Sequence, residues 1–215
     1  MRVLLADDHR MMRDGLRAVL DKDGMKVVGE AATGHEAIAL AHSLVPDVVI
    51  MDIAMPELNG IDATRRLTKE LPHVKVIALS MNADRRYVMA MLEAGAAGYL
   101  LKNEASEELL RAISAVMRGQ TYVSPAVAGN VLEHVMGRRP RAGSAVSERP
   151  LSPREREVLQ LLAEGKSSKE IASVLSIALP TVETHRRQLM SKLKLRSIAE
   201  LTKYAIREGL TSVEP

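Results

Sequence analysis

Five short apolar runs, 3–7 (VLLAD), 26–31 (KVVGEA), 47–52 (DVVIMD), 74–80 (VKVIALS) and 98–102 (GYLLK), are separated by stretches of helical length. Each run places Val, Ile, Leu or Met on consecutive positions, as strands buried on both faces do. The intervening segments 10–22, 34–44, 60–71, 84–94 and 105–119 repeat apolar residues three and four apart, the spacing of a helix that lays one face on a sheet. Strand and helix in strict alternation predict an α/β fold: a five-stranded parallel sheet, doubly wound in the flavodoxin-like manner, with right-handed crossovers and helices on both faces.

The alternation stops near residue 120. Residues 124–136 read as one more helix, opened by Ser124-Pro125 and carrying Val127, Val131, Leu132 and Val135 on one face. Residues 137–150 (GRRPRAGSAVSERP) hold four Arg, two Pro, Gly and Ser with almost no apolar content, the composition of an exposed linker. From Leu151 onward strand signals vanish, and helices are expected at about 153–164, 168–175, 180–194 and 198–208. Gly165 and Gly209 suit helix ends, and Ser167-x-x-Glu170 has the spacing of a capping box. The chain is therefore expected to hold an α/β domain over 1–120, a connecting segment over 121–150 and an all-α four-helix domain over 151–215. A chain of 215 residues with 47% hydrophobic and 27% charged residues is large enough for two such cores.

Composition removes several function classes. Cysteine is absent, so disulfides and thiol catalysis are excluded. No apolar run approaches the roughly 20 residues of a spanning helix, and Met1-Arg2-Val3-Leu4-Leu5-Ala6 runs directly into Asp7-Asp8, unlike a signal peptide. A cytoplasmic protein is expected. Through Tyr122 there are 15 Lys and Arg against 17 Asp and Glu, and beyond it 15 against 10. Only the second half carries the basic excess that draws phosphate backbones.

In an open parallel sheet, ligands gather at the carboxyl ends of the strands. Asp7-Asp8 follow the first run, Asp52 and Ser80 end the third and fourth, and Lys102 ends the fifth. Clustered carboxylates repel unless a cation holds them, and oxygen ligands suit Mg²⁺, which favours phosphate company. An opposing lysine adds a charge for a phosphoryl oxygen, and a hydroxyl adds a hydrogen bond. Taken singly, these residues have plainer readings: Asp7 or Asp8 as a helix N-cap, Lys102 as a solvated strand end, Ser80 as a turn residue. Their coincidence at four strand ends favours a site.

On Leu5-Ala-Asp-Asp-His9, Asp52-Ile-Ala-Met-Pro-Glu-Leu-Asn-Gly60, Ala78-Leu-Ser80 and Gly98-Tyr-Leu-Leu-Lys102, residues 1–120 resemble the receiver domain of two-component response regulators. The resemblance implies that Asp52 accepts a phosphoryl group from a sensor histidine kinase. Asp7, Asp8, Asp52 and the backbone carbonyl of Ala54 would hold Mg²⁺, and Lys102 would grip the phosphoryl oxygens. Ser80 would turn to bond them and Tyr99 would follow inward as the switch. Ala54 and Asn82 would tune the lifetime of the phosphate. One departure is Asn103, where receivers commonly have Pro after the lysine, often through a cis bond.

In 180–194 (PTVETHRRQLMSKLK), Val182, Leu189, Met190 and Leu193 are spaced to face a core, which leaves Glu183, Thr184, Arg186 and Arg187 outward. Arg pairs with guanine, Glu accepts from cytosine and Thr meets a thymine methyl, so this face suits base reading. Charges on a helix are otherwise simply its solvated face. From Leu151-Ser-Pro-Arg-Glu-Arg-Glu-Val-Leu159 through Lys169-Glu-Ile-Ala172 to Thr181-Val-Glu-Thr-His185 and Lys192-Leu193, residues 151–210 are similar to the LuxR-type helix-turn-helix domain of the NarL/FixJ subfamily. That likeness implies DNA contacts by Lys166, Lys169, Thr181, Glu183, Thr184, Arg186 and Arg187, and a dimer contact through Leu201 and Tyr204. It also implies promoter DNA, RNA polymerase and a second copy of the chain as partners, and a regulator rather than an enzyme. Relatives often have Ser-Pro-Lys where this chain has Ala178-Leu-Pro180.

The two resemblances together imply that phosphorylation releases the DNA-reading helix and favours dimers, although a receiver whose DNA binding ignores any kinase has the same sequence. A haloacid-dehalogenase-like phosphatase needs a second Asp where Ala54 stands. A dinucleotide-binding enzyme needs glycines where Asp7-Asp8-His9 stand.

Overall fold

The computed structural model describes residues 1–129 and 151–211, and the chain divides into two compact units, Met1–Arg139 and Pro140–Pro215. In the first unit, strands β1 (Arg2–Ala6), β2 (Lys26–Ala31), β3 (Val48–Asp52), β4 (Lys75–Ser80), β5 (Gly98–Leu101) and β6 (Tyr122–Val123) form one sheet in the order β2-β1-β3-β4-β5-β6. Every pairing is parallel. The first five strands have the expected order of a doubly wound sheet. The sixth was not anticipated: two residues make too short a run to register as a strand, and pairing of Gly98 with Tyr122 and Tyr99 with Val123 supplies the order that composition does not.

Helices α1 (Arg10–Lys22), α2 (Gly34–Leu44), α3 (Gly60–Glu70), α4 (Arg85–Glu93) and α5 (Ala105–Met117) fill the crossovers. Alternate residues of each strand go to opposite faces. Leu4, Ala6, Val49, Met51, Val76, Ala78 and Tyr99 join one core with residues of α2, α3 and α4. Val3, Leu5, Val48, Ile50, Ile77, Leu79 and Leu100 join the other with Leu16 and Leu20 of α1 and Leu109, Ile113 and Val116 of α5. Burial on both faces explains why the strands read as unbroken apolar runs. Thr33, Asn59 and Asp84 cap α2, α3 and α4, each accepting from a main-chain N–H of the first turn.

Beyond β6, residues 125–129 are helical. The rest of the helix expected over 124–136 and the linker expected over 137–150 lie outside the described residues.

The second unit holds α6 (Pro153–Ala163), α7 (Ser168–Val174), α8 (Leu179–Leu193) and α9 (Ile198–Arg207), packed on Val158, Leu159, Leu161, Leu162, Ile171, Val182, Leu189, Leu201 and Ala205. The Ser167–Glu170 capping box forms, as do two further boxes, Ser152–Glu155 and Ser197–Glu200. Gly165 and Gly209 follow α6 and α9 with φ of 82° and 71°, the left-handed conformation that glycine adopts without strain. Among the described residues no helix is long and apolar enough to cross a membrane.

Candidate functional site

Sheet order assembles the first site. β1 and β3 are neighbours with Ala6 beside Met51, so Asp7 emerges next to Asp52 at the end of β3. Pairing of Asp52 with Leu79 and of Ser80 with Leu101 brings Ser80 and Lys102 alongside. Lys102 Nζ lies 2.8 Å from Asp7 Oδ2 and 2.8 Å from Asp52 Oδ2, with its side chain only 6% exposed. The contact to Asp52 is also a hydrogen bond. The approach to Asp7 is a buried ion pair at the same distance. Lys102 is therefore no solvated strand end. It opens a short 3₁₀ turn, Lys102–Glu104, and the bond to Asn103 is trans, since no described peptide bond is cis.

Burial, then the neighbouring Asp7 carboxylate, pushes the Asp52 carboxyl above its ordinary value; Lys102 and the Ala54 N–H oppose this without cancelling it. Burial works against the Lys102 charge, but Asp52 and Asp7 outweigh it and hold the ammonium above its usual range. The site thus carries a firmly protonated lysine and more carboxylate charge than that lysine balances.

Asp8 and His9 stand at the rim. Donor atoms of Asp7, Asp8, His9 and Asp52 lie within 4.8 Å of one another, and His9 Nδ1 is 2.9 Å from Asp8 Oδ1. Three carboxylates gathered around a single lysine suit a hard divalent cation. The N-cap reading of Asp7 and Asp8 does not hold: His9 is the N-cap of α1 and makes no side-chain cap, while Asp7 Oδ1 accepts from the His9 N–H at 2.9 Å. Ser80 does serve its turn, since its Oγ accepts from the Asn82 N–H at 3.0 Å, and it also lines the site. Ala54 is exposed beside Asp52, donating its N–H to Asp52 Oδ1 at 3.3 Å. Tyr99 is already fully buried, so the inward movement expected of it on phosphorylation is complete in this conformation.

Sequence reasoning missed His9 as a member of the cluster, although it sat in a quoted motif. It also missed Arg13 on α1, whose Nη1 donates to the Asp7 carbonyl at 2.5 Å. A side chain acting on a main-chain atom leaves no spacing signature.

In the second unit, α7 and α8 flank the turn 175–178. α8 begins at Leu179 with Pro180 in its first turn, and its N-cap, Ala178, has no side chain to offer. Val182 and Leu189 are buried and Met190 and Leu193 pack partly against the core. Thr181, Thr184, Arg187 and Lys169 are exposed, whereas Glu183, Arg186 and Lys166 are half-buried. The Thr184 hydroxyl donates to the Pro180 carbonyl at 2.9 Å. Lys192, near the end of α8, is committed to the fold through Glu155 Oε2 at 2.8 Å.

Leu201 requires correction as a dimer contact. It has no exposed surface and belongs to the core of this unit, so it has no area to give a second copy. Tyr204 of the same helix is half-buried, with Arg207 stacked 5.2 Å from its ring centre.

Residues 3–114 match the family model of the response regulator receiver domain, and residues 149–205 that of bacterial regulatory proteins of the luxR family. The chain is 42% identical over 213 residues to the transcriptional regulatory protein MctR of Rhizobium johnstonii, covering 99% of this chain and 96% of that protein. It is 40% identical to LiaR of Bacillus subtilis, covering 99% and 100%. Among solved structures, the response regulator RcsB of Salmonella enterica, bound to a promoter in the presence of the phosphomimetic BeF₃⁻, superimposes with a TM-score of 0.60 at 29% identity, covering 98% of this chain and 99% of that one. A luxR-family response regulator from Aurantimonas gives 0.60 at 34%, covering 63% and 98%. A parallel α/β receiver with an acidic cluster at its strand ends, joined to a helix-turn-helix, defines a two-component response regulator. The chain belongs to that family, in the branch with a LuxR-type DNA-binding domain, and is a transcription regulator.

Proposed function

We propose that Asp52 is the phosphoacceptor of a cytoplasmic two-component system and that its phosphorylation promotes dimerisation and promoter binding. The observation that carries this reading is Lys102, held at 2.8 Å from both Asp7 and Asp52 in a buried pocket at the sheet's carboxyl edge. A carboxylate oxygen of Asp52 attacks the phosphorus of a sensor kinase's phosphohistidine; the P–N bond breaks, and the imidazole leaves as the acyl phosphate forms. Lys102 exchanges a carboxylate partner for a phosphoryl oxygen. Asp7, Asp8, Asp52 and the Ala54 carbonyl would hold Mg²⁺, which neutralises phosphoryl charge in the transition state. Ser80 bonds the phosphoryl group when its Oγ leaves the Asn82 N–H, and Tyr99 follows the rearranged loop as the switch. Beyond this self-modification the chain is a regulator and not an enzyme.

The proposed division is a receiver over 1–120, a connector over 121–150 and a DNA-binding domain over 151–215. Lys166 and Lys169 meet phosphates, and Thr181, Glu183, Thr184, Arg186 and Arg187 face the major groove. Tyr204 lies at the dimer contact. Partners are the kinase, promoter DNA and RNA polymerase.

The test selects bound duplexes from a random library, with and without beryllofluoride plus Mg²⁺, for wild type and Asp52→Ala. Beryllofluoride should raise affinity and dimer fraction in wild type alone. Binding that is unchanged in all four arms would sink phosphorylation control and leave a constitutive DNA-binding regulator.

A further inference from the structure

Asp8 is the exposed member of the acidic cluster, and among the described residues its carboxylate meets His9 Nδ1 at 2.9 Å, itself on an exposed side chain. Its position depends on how the main chain is held where β1 turns into α1. The Asp7 carboxylate holds the far side of the turn, its Oδ1 accepting from the His9 N–H at 2.9 Å, and two contacts hold the Asp7 main chain. The Asp7 N–H donates to the Ala31 carbonyl of β2 at 3.0 Å, and Arg13 Nη1 donates to the Asp7 carbonyl at 2.5 Å. The Asp7 carbonyl belongs to the peptide unit that enters Asp8, so Arg13 sets the orientation of the second acid.

Arg13 is itself clamped. Its Nε donates to Glu30 Oε2 at 2.9 Å, and its side chain is 14% exposed. Glu30 Oε1 accepts from Arg17, one turn further along α1, which is 40% exposed and contacts nothing in the acidic cluster. The guanidinium fork suits this task because one face reaches a carboxylate while another reaches a carbonyl. A lysine has no such geometry.

Resting on the cation reading of the previous section, we propose that Arg13 is a positioning residue of the phosphorylation site, orienting the Asp7–Asp8 peptide for divalent-cation binding through the relay from Glu30 on β2. Groups that orient a metal's ligands without touching the metal alter its affinity by about 10-fold to 100-fold when removed.

The experiment is a calorimetric Mg²⁺ titration of the full-length protein. Arg13→Met keeps the apolar stem and removes the fork; its Mg²⁺ dissociation constant should rise about tenfold. Arg17→Met removes the other arm of Glu30 and serves as the control for loss of an ion pair: its thermal midpoint falls by a similar amount, with Mg²⁺ affinity within about twofold of wild type. Arg13→Lys should lie between wild type and Arg13→Met. Equal Mg²⁺ affinity in Arg13→Met and Arg17→Met overturns the assignment and leaves Arg13 as a structural ion pair. Asp8→Asn separates this failure from a deeper one. If it binds Mg²⁺ as wild type does, the cation site itself is wrong and the role of Arg13 falls with it; if Asp8→Asn loses affinity while Arg13→Met does not, only the role of Arg13 is lost.

Discussion

The Tyr99 hydroxyl donates a hydrogen bond of 2.7 Å to the main-chain carbonyl of Asn82, tying β5 to the loop that leaves β4 two residues beyond Ser80. The ring lies in the core under that loop, so the tether joins the floor of the site to its wall. Movement of Ser80 toward a phosphoryl group must stretch or re-aim it.

Burial pushes the Tyr99 phenol up to about 12, with Tyr87, Asp84 and Asp52 adding to the effect against the hydrogen bond from Ser80. An acid with a raised folded value stabilises the fold fully below its unfolded value near 10 and loses that contribution as pH climbs to about 12. The loss is on the order of 2 kcal/mol. In a spectrophotometric titration of the four tyrosines, Tyr99 should ionise last and together with unfolding. Tyr99→Phe should remove that final step, move alkaline unfolding to higher pH and cost about 1 kcal/mol at neutral pH through the orphaned carbonyl. A titration identical to wild type would exclude this environment for the phenol.

Asp52 makes a prediction of opposite character. Its folded value lies above the ordinary aspartate value of 3.8, because burial and Asp7 disfavour the charged form. The folded state therefore holds the proton more tightly than the unfolded chain, and the ionised carboxylate weakens the fold at neutral pH. Asp52→Asn should stabilise the protein by on the order of 1 kcal/mol in urea unfolding at neutral pH, since Lys102 keeps Asp7 as a partner. That gain should shrink as pH falls through the folded value and vanish below 3.8, where wild-type Asp52 is protonated in both states. A variant less stable than wild type at neutral pH would mean that the Lys102 pairing outweighs desolvation.

The sheet was legible because burial on both faces leaves an uninterrupted apolar run, a pattern that loops do not share. The four strand-end groups were legible for the related reason that Asp7-Asp8, Asp52, Ser80 and Lys102 end such runs with polar or charged groups that an apolar core does not supply. β6 escaped because Tyr122-Val123 is too short to show a period, and Leu201 was misassigned because a helix face alone does not say which neighbour it meets. Ser152-x-x-Glu155 and Ser197-x-x-Glu200 carry the same spacing as the box at Ser167 and were within reach. Arg13 was not, since its partner is a carbonyl.

Gly60 shows a constraint on the site that composition hides. Its N–H donates to the Ile53 carbonyl at 2.9 Å, and a β-carbon placed there would stand 1.9 Å from the Asp52 carbonyl oxygen and 2.8 Å from its carbon. Main chain has little freedom to yield, so α3 or the end of β3 must shift. Gly60→Ala is expected to cost about 3 kcal/mol in urea unfolding and to weaken Mg²⁺ binding in the folded fraction, because the displaced residue is Asp52, a member of the acidic cluster. A stable variant with unchanged Mg²⁺ affinity would show that the loop 53–59 absorbs the methyl group.

The start of α8 offers the last prediction, in two variants that separate stability from recognition. Ala178 has φ −69° and ψ 143°, close to the φ −70° and ψ 158° of the capping Ser167. Ala178→Ser therefore brings a capping oxygen to the first turn without a backbone change, but the Thr181 N–H already donates to the Ala178 carbonyl at 2.9 Å, so the gain should be at the low end for a cap, about 0.5 kcal/mol. It adds no charge, so the salt dependence of DNA binding should not move. Pro180→Lys does the reverse: it restores the cation that relatives often carry before the Thr-Val pair, at an exposed position in the first turn. If residue 180 faces a phosphate, the slope of log affinity against log salt should steepen by about 0.9, measured on a duplex selected by the wild-type protein. An unchanged slope would turn residue 180 away from the backbone and place the electrostatic contacts of this domain on Lys166, Lys169 and the two arginines of α8 alone.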